Sequence, residues 1–194
     1  MSKQPNIIII MADQLAAQAL SLYGNPVCKT PHLNELANQG IVFENAYSNN
    51  PVCVPSRASM LSGMLCPEIS AYDNATELAS SVPTMAHYMR SLGYWTFLSG
   101  KMHFIGPDQL HGYAERLVGD HGANRTGGRG NRGHGTGGAG PTRSSLEESG
   151  HGQSAYQVHD EDVTAATVHY LDRLGVKKRA GQPAEHFSLS VGFM

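Results

Sequence analysis

Short apolar runs alternate along this chain with longer stretches in which apolar residues recur every three or four positions. Residues 6–12 carry four consecutive isoleucines. Their length and β-branching predict a strand buried on both faces, as in a parallel sheet. Residues 30–40 predict a helix, with Thr30 as its cap, Pro31 at the first position, Leu33, Leu36 and Ala37 as the apolar stripe and Gly40 as the stop. Ile41 to Tyr47 then reads as a strand. Residues 49–63 read as a loop entering a short helix, with Pro55 at its first position, Ala58, Met60 and Leu61 continuing it and Gly63 ending it. A loop follows at 71–75. A helix is expected over 83–92, with Met85, Tyr88, Met89 and Leu92 on one side and Gly93 as its stop. Tyr94 to Leu98 is a strand by β-propensity. Asp160 to Leu174 reads as a helix with acids in its first turn, Val163, Thr167, Tyr170, Leu171 and Leu174 on one face, and Gly175 as its stop. Phe187 to Phe193 is a further strand. Strands alternating with helices predict an α/β fold: a mostly parallel sheet flanked by helices. Sheet order is not legible from the pattern.

Residues 121–152 break it. Glycine and Arg125, Arg129, Arg132 and Arg143 dominate there without an aromatic residue, so the segment reads as a flexible Gly/Arg-rich insertion. The stretch 125–133 faintly resembles an RNA-binding Arg-Gly segment, but without Phe or Tyr to stack on bases nucleic acid is disfavoured. The net charge of −2 adds no pull toward nucleic acid or a membrane surface. No apolar run is long enough to span a bilayer, and the run at 7–10 is too short for a secretory signal. Cys28, Cys53 and Cys66 lack Cys-x-x-Cys spacing, so neither a disulfide framework nor a zinc site is suggested, and a cytoplasmic protein is expected. A homo-oligomer stays open.

Candidate chemistry gathers at the ends of the expected strands. Asp13 and Gln14 follow the first strand, at the edge where open α/β sheets place ligands. Cys53 lies at a helix N-terminus, where free N–H groups and the positive end of the dipole favour an anion. Arg57, one turn on, can reach the same point. Lys101 and His103 alternate with Met102 and face the same way if the segment is extended. Two side chains able to carry positive charge there could contact an anion.

Four separated pieces resemble one family. Pro5 to Leu15, Pro-Asn-Ile-Ile-Ile-Ile-Met-Ala-Asp-Gln-Leu, resembles the first strand and metal aspartate of sulfatases. Cys53-Val54-Pro55-Ser56-Arg57 resembles their signature, in which the cysteine is oxidised by a separate enzyme to formylglycine. Gly100-Lys101-Met102-His103 resembles the sulfatase Gly-Lys-x-His. Ala71 to Asn74 and Ser99 to Gly112 resemble choline-sulfatases in particular. The close match covers residues 5–118, with a looser one over 156–194. The resemblance implies an alkaline-phosphatase-like fold and cleavage of a small sulfate monoester such as choline sulfate. It implies Asp13 as a ligand of a divalent metal, calcium or similar, and Cys53, after conversion by a formylglycine-generating enzyme, as nucleophile and further metal contact. Arg57 then holds the hydrated aldehyde, Lys101 contacts the sulfate oxygens and His103 assists release. Asn74 lines the substrate pocket.

The resemblance also sets expectations about extent. The family's second metal pair and second lysine lie beyond the point that Met194 occupies. Residues 1–194 are therefore expected to form the N-terminal portion of a sulfatase catalytic domain, incomplete at the C-terminus, with about half a metal site. The Gly-rich segment stands where choline-sulfatases carry aromatic residues. Two alternatives stay open: a phosphonate or phosphodiester hydrolase of the same superfamily, which shares the Asp-Gln start, and an inactive truncated remnant. Lys101 and His103 favour the sulfatase.

Overall fold

The structure, a computed structural model, describes residues 4–121, 147, 150–181 and 186–194. The Gly/Arg-rich insertion expected at 121–152 lies mostly outside the described residues. In chain order the elements are β1 (Ile7–Ala12), two short 3-10 turns (Ala17–Ala19 and Ser21–Tyr23), α1 (Pro31–Gln39), α2 (Cys53–Ser62), α3 (Met85–Ser91), β2 (Trp95–Gly100), β3 (Glu115–Val118), α4 (Ala155–Arg179) and β4 (Phe187–Phe193).

The four strands form one sheet in the order β1-β4-β2-β3, with every pair parallel. The α/β expectation holds. Strand β4 lies between β1 and β2, with Ile9 and Leu98 both opposite Ser190. Alternation along β2 and β4 sends side chains to two cores. On one face Phe97, Leu189 and Val191 meet Val163, Tyr170, Leu171 and Leu174 of α4. On the other, Leu98, Met102, Phe104 and Tyr113 meet Leu61 of α2 and Ala86 of α3. There β4 offers only Ser188 and Ser190, and buried Tyr113 donates its hydroxyl to Ser190 Oγ at 2.8 Å. Burial pushes the Tyr113 phenol up to about 12, against the pull of that bond.

Several expectations are corrected. Strand β1 is not buried on both faces: Ile8 is 46% and Ile10 66% exposed. Those two residues stand opposite Leu189 and Val191, on the side where α4 packs across β2, β3 and β4 but leaves β1 uncovered. Ile41 to Tyr47 is not a strand. Its residues have no ladder partner among the described residues, and Ile41, Phe43 and Tyr47 are exposed. Thr30 sits at the α1 cap position without capping; its hydroxyl bonds Ser21 Oγ instead. Helix α3 buries Ala86, while Tyr88 and Leu92 stay exposed. Helix α4 starts five residues earlier than expected, where Ser154 and Gln157 close a capping box, and it runs through Gly175 to Arg179. Strand β3 was not anticipated; its four residues carry too short a pattern to stand out.

Candidate active site

All strands run the same way, so their C-terminal ends share one edge. Asp13 follows β1, and its N–H still donates to Phe193 O at 3.1 Å. Lys101 follows β2, its N–H donating to Gly192 O at 2.8 Å. That approach requires glycine on both sides: a Cβ at Gly100 would collide with Gly192 O, and one at Gly192 with the Lys101 backbone. Gly100 also has φ +81, a conformation that L side chains seldom adopt.

Helix α2 points its N-terminus at this edge. Cys53 is the first helical residue and Pro55 the third, two positions further in than expected. The cap position, Val52, offers no side-chain bond. Asn74 supplies it from the 71–75 loop, its Oδ1 accepting from Val54 N at 2.9 Å. Gly63, at φ +71, ends the helix as expected.

Asp13 is the hub. Its Oδ1 accepts from Arg57 Nη2 at 3.0 Å and its Oδ2 from Lys101 Nζ at 2.7 Å. The Cys53 thiol lies 3.8 Å from Oδ2. Arg57, 4% exposed, also donates through Nη1 to Lys101 O at 2.9 Å. Burial pushes the Asp13 carboxyl up, but Lys101 and then Arg57 outweigh it and hold the group below its usual range. One carboxylate therefore faces two cations and a helix N-terminus, which leaves the site positive and suited to an anion.

His103 sits in a left-handed conformation, φ +62, and its buried Nδ1 has no hydrogen-bond partner among the described residues. Burial, then the charge of Lys101, lowers its pKa, and Asp120 partly opposes them. Asp13, Gln14, Cys53, Arg57, Asn74, Lys101 and His103 line one cleft of about 710 Å³, a volume suited to a small molecule. The expected site residues thus converge, though they are drawn from positions up to 90 residues apart.

Other contributors carried little sequence signal. Tyr156 and Met194 complete the cleft wall, with the Tyr156 ring edge-on to His121 at 4.8 Å. Asp160 lies in the second turn of α4, where its Oδ1 accepts from Met194 N at 2.9 Å. Asp120 and Arg116 lie beneath the Lys101–His103 turn.

A resident divalent cation does not fit the described residues taken alone. No group of three His, Cys, Asp or Glu converges among them, and both oxygens of the Asp13 carboxylate are already engaged by Arg57 and Lys101. Calcium asks for six or more oxygens. No helix among the described residues is long and apolar enough to cross a membrane.

The choline-sulfatase of Rhizobium meliloti is 49% identical over 117 residues, which cover 60% of this chain and 23% of that protein. The N-acetylglucosamine-6-O-sulfatase of Bacteroides thetaiotaomicron is 37% identical over 62% of this chain and 22% of its own length. The chain thus spans about a quarter of the length of these relatives. Among solved structures, a 2-O GAG sulfatase superposes over 99% of this chain and 35% of its own with a TM-score of 0.69 at 23% identity, a likeness of fold. A structure in complex with its substrate D-glucosamine-2-N,6-O-disulfate covers 59% of this chain and 23% of its own, with a TM-score of 0.56 at 37% identity. The family model described as Sulfatase matches residues 5–192, and the chain belongs to the sulfatase family.

Proposed function

We propose that these residues form the N-terminal portion of the catalytic domain of a sulfuric ester hydrolase that cleaves a small sulfate monoester of the choline-sulfate kind. One observation carries this reading: Arg57, Lys101 and the α2 N-terminus converge beside Cys53 in a single cleft. In this reading Cys53 is converted to formylglycine, whose hydrated aldehyde supplies the attacking oxygen and a second hydroxyl that lets sulfate leave. Family likeness offers Asp13 to a divalent cation such as calcium, yet both of its oxygens are taken here by Arg57 and Lys101.

The chain's own side chains have definite tasks. Lys101 meets the sulfate oxygens, Arg57 holds the hydrated aldehyde, and both neutralise charge as it moves toward the leaving alcohol. Asp13 holds both cations in orientation. Burial favours the neutral form of His103, the form that can accept a proton. Asn74 fixes the first turn of α2 and with it the position of Cys53.

The test is the mass of the full protein from its own host, intact and as the Cys53 peptide, alongside turnover of choline sulfate. Aldehyde at Cys53 together with sulfate release supports the reading, and Cys53→Ala must then abolish turnover. An unmodified thiol with no sulfate release overturns it. Faster turnover of a phosphonate or phosphodiester would replace it with the alternative hydrolase.

A further inference from the structure

The turn that presents Lys101 and His103 to the cleft is clasped from behind by side chains outside the site. Asp120, its side chain only 6% exposed, accepts from Met102 N at 2.7 Å and from His103 N at 3.0 Å. Arg116 Nη2 pairs with Asp120 Oδ1 at 2.8 Å and also donates to Gly100 O at 3.1 Å. Arg116 Nη1 is anchored on Gln109 Oε1 at 2.9 Å. The pair therefore grips the segment 100–103 at both ends, from Gly100 O to His103 N.

Such a clasp has physical work to do. A histidine at φ +62 is in a sparsely populated region and persists only where its surroundings over-determine it. Two N–H groups aimed at one carboxylate supply that determination. The carboxylate is itself buried, and it is tolerated because a guanidinium and backbone donors surround it. The arrangement is also local in sequence, since β3 carries Arg116 and the chain leaving β3 carries Asp120.

We infer that Asp120 and Arg116 form a positioning pair that holds Lys101 and His103 in reacting geometry, without touching substrate. The inference rests on the sulfatase reading for its kinetic consequence but not for its structural one. Misplacing a reacting group by about 1 Å can cost ~100-fold in rate, so Asp120→Ala should lower kcat by about that factor and leave KM within about threefold. Asp120→Asn keeps an oxygen acceptor for Met102 N and should recover about a tenth of the wild-type rate.

The experiment is paired: kcat and KM for the sulfate ester in the full protein, and amide hydrogen exchange at Met102 and His103 with Leu98 as an internal reference. The expected result is a selective rise in exchange at Met102 and His103 in Asp120→Ala, unchanged protection at Leu98, and a loss in kcat partly restored by Asp120→Asn. Unchanged exchange at Met102 and His103, or an equal rise at Leu98, would overturn the clasp. Faster exchange with unchanged kcat would overturn its role in the reaction. If the wild-type protein releases no sulfate, the functional reading fails by itself, and exchange still decides whether the clasp exists.

Discussion

Two side chains of the cleft make separable predictions. The imidazole of His103 feels the charges of Lys101, Asp120, Arg57 and Asp13, and burial with the lysine wins, so its folded pKa lies below the ordinary 6.5. The unfolded chain then binds the proton more readily. Stability attached to this group is full above the unfolded value and is lost as pH falls through it toward the folded one. Going from about pH 7.5 to about pH 5.5, the urea midpoint of the wild type should fall further than that of His103→Gln, and equal falls would deny this role. Asn74 is the second case. Likeness to choline-sulfatases suggested a pocket residue, and it does line the cleft, but its Oδ1 also caps α2. Removing an N-cap acceptor costs ~1 kcal/mol, so Asn74→Ala should lower unfolding free energy by about that much while Asn74→Asp does not. Unchanged stability in Asn74→Ala would leave it with the pocket alone.

At the scale of elements, sequence pattern worked where packing and pattern coincide. Strand β4 was legible to the residue because Phe187, Leu189 and Val191 face a helix while Ser188 and Ser190 are small enough for the opposite core. The Cys53 helix was legible through Pro55 and Gly63, although its start moved because Val52 adopts the extended conformation of a cap residue. Pattern failed where no partner is present. Ile41 to Tyr47 has strand propensity but no ladder, and a strand is made by its neighbour as much as by its residues. Gly175 looked like a stop, yet a single glycine costs a helix only about 1 kcal/mol, less than a well-packed helix can bear. The candidate site residues Asp13, Cys53, Arg57, Lys101 and His103 were legible because they sit in short motifs. Asp120 and Arg116 were not, since a carboxylate that binds backbone N–H groups leaves no spacing signature. The Gly100–Gly192 approach yields a sharp test. Gly192→Ala would press a methyl into the Lys101 backbone and should cost roughly 1–3 kcal/mol in urea unfolding, as overpacking does. Gly119→Ala, whose added methyl has nothing within 4 Å among the described residues, serves as the neutral control.

For the molecule as a whole, the sheet order decides what depends on what. Strand β4 is hydrogen-bonded to both β1 and β2, so among the described residues it alone joins Asp13 to Lys101 through the sheet. Deleting residues 187–194 should leave β1 unpaired and abolish the cooperative unfolding transition and the near-ultraviolet circular dichroism of the packed aromatics. Retention of both would show that the rest of the fold holds together without it. The order also sets a timetable during synthesis. Ile7 leaves the ribosome 181 residues ahead of its partner Ser188. At translation speeds of about 5–20 residues per second that gap is roughly 10–40 s. Through that interval the four isoleucines are an unclaimed sticky segment, a natural client for chaperones, and the Cys53 thiol remains on a peptide whose cleft has not yet closed around it.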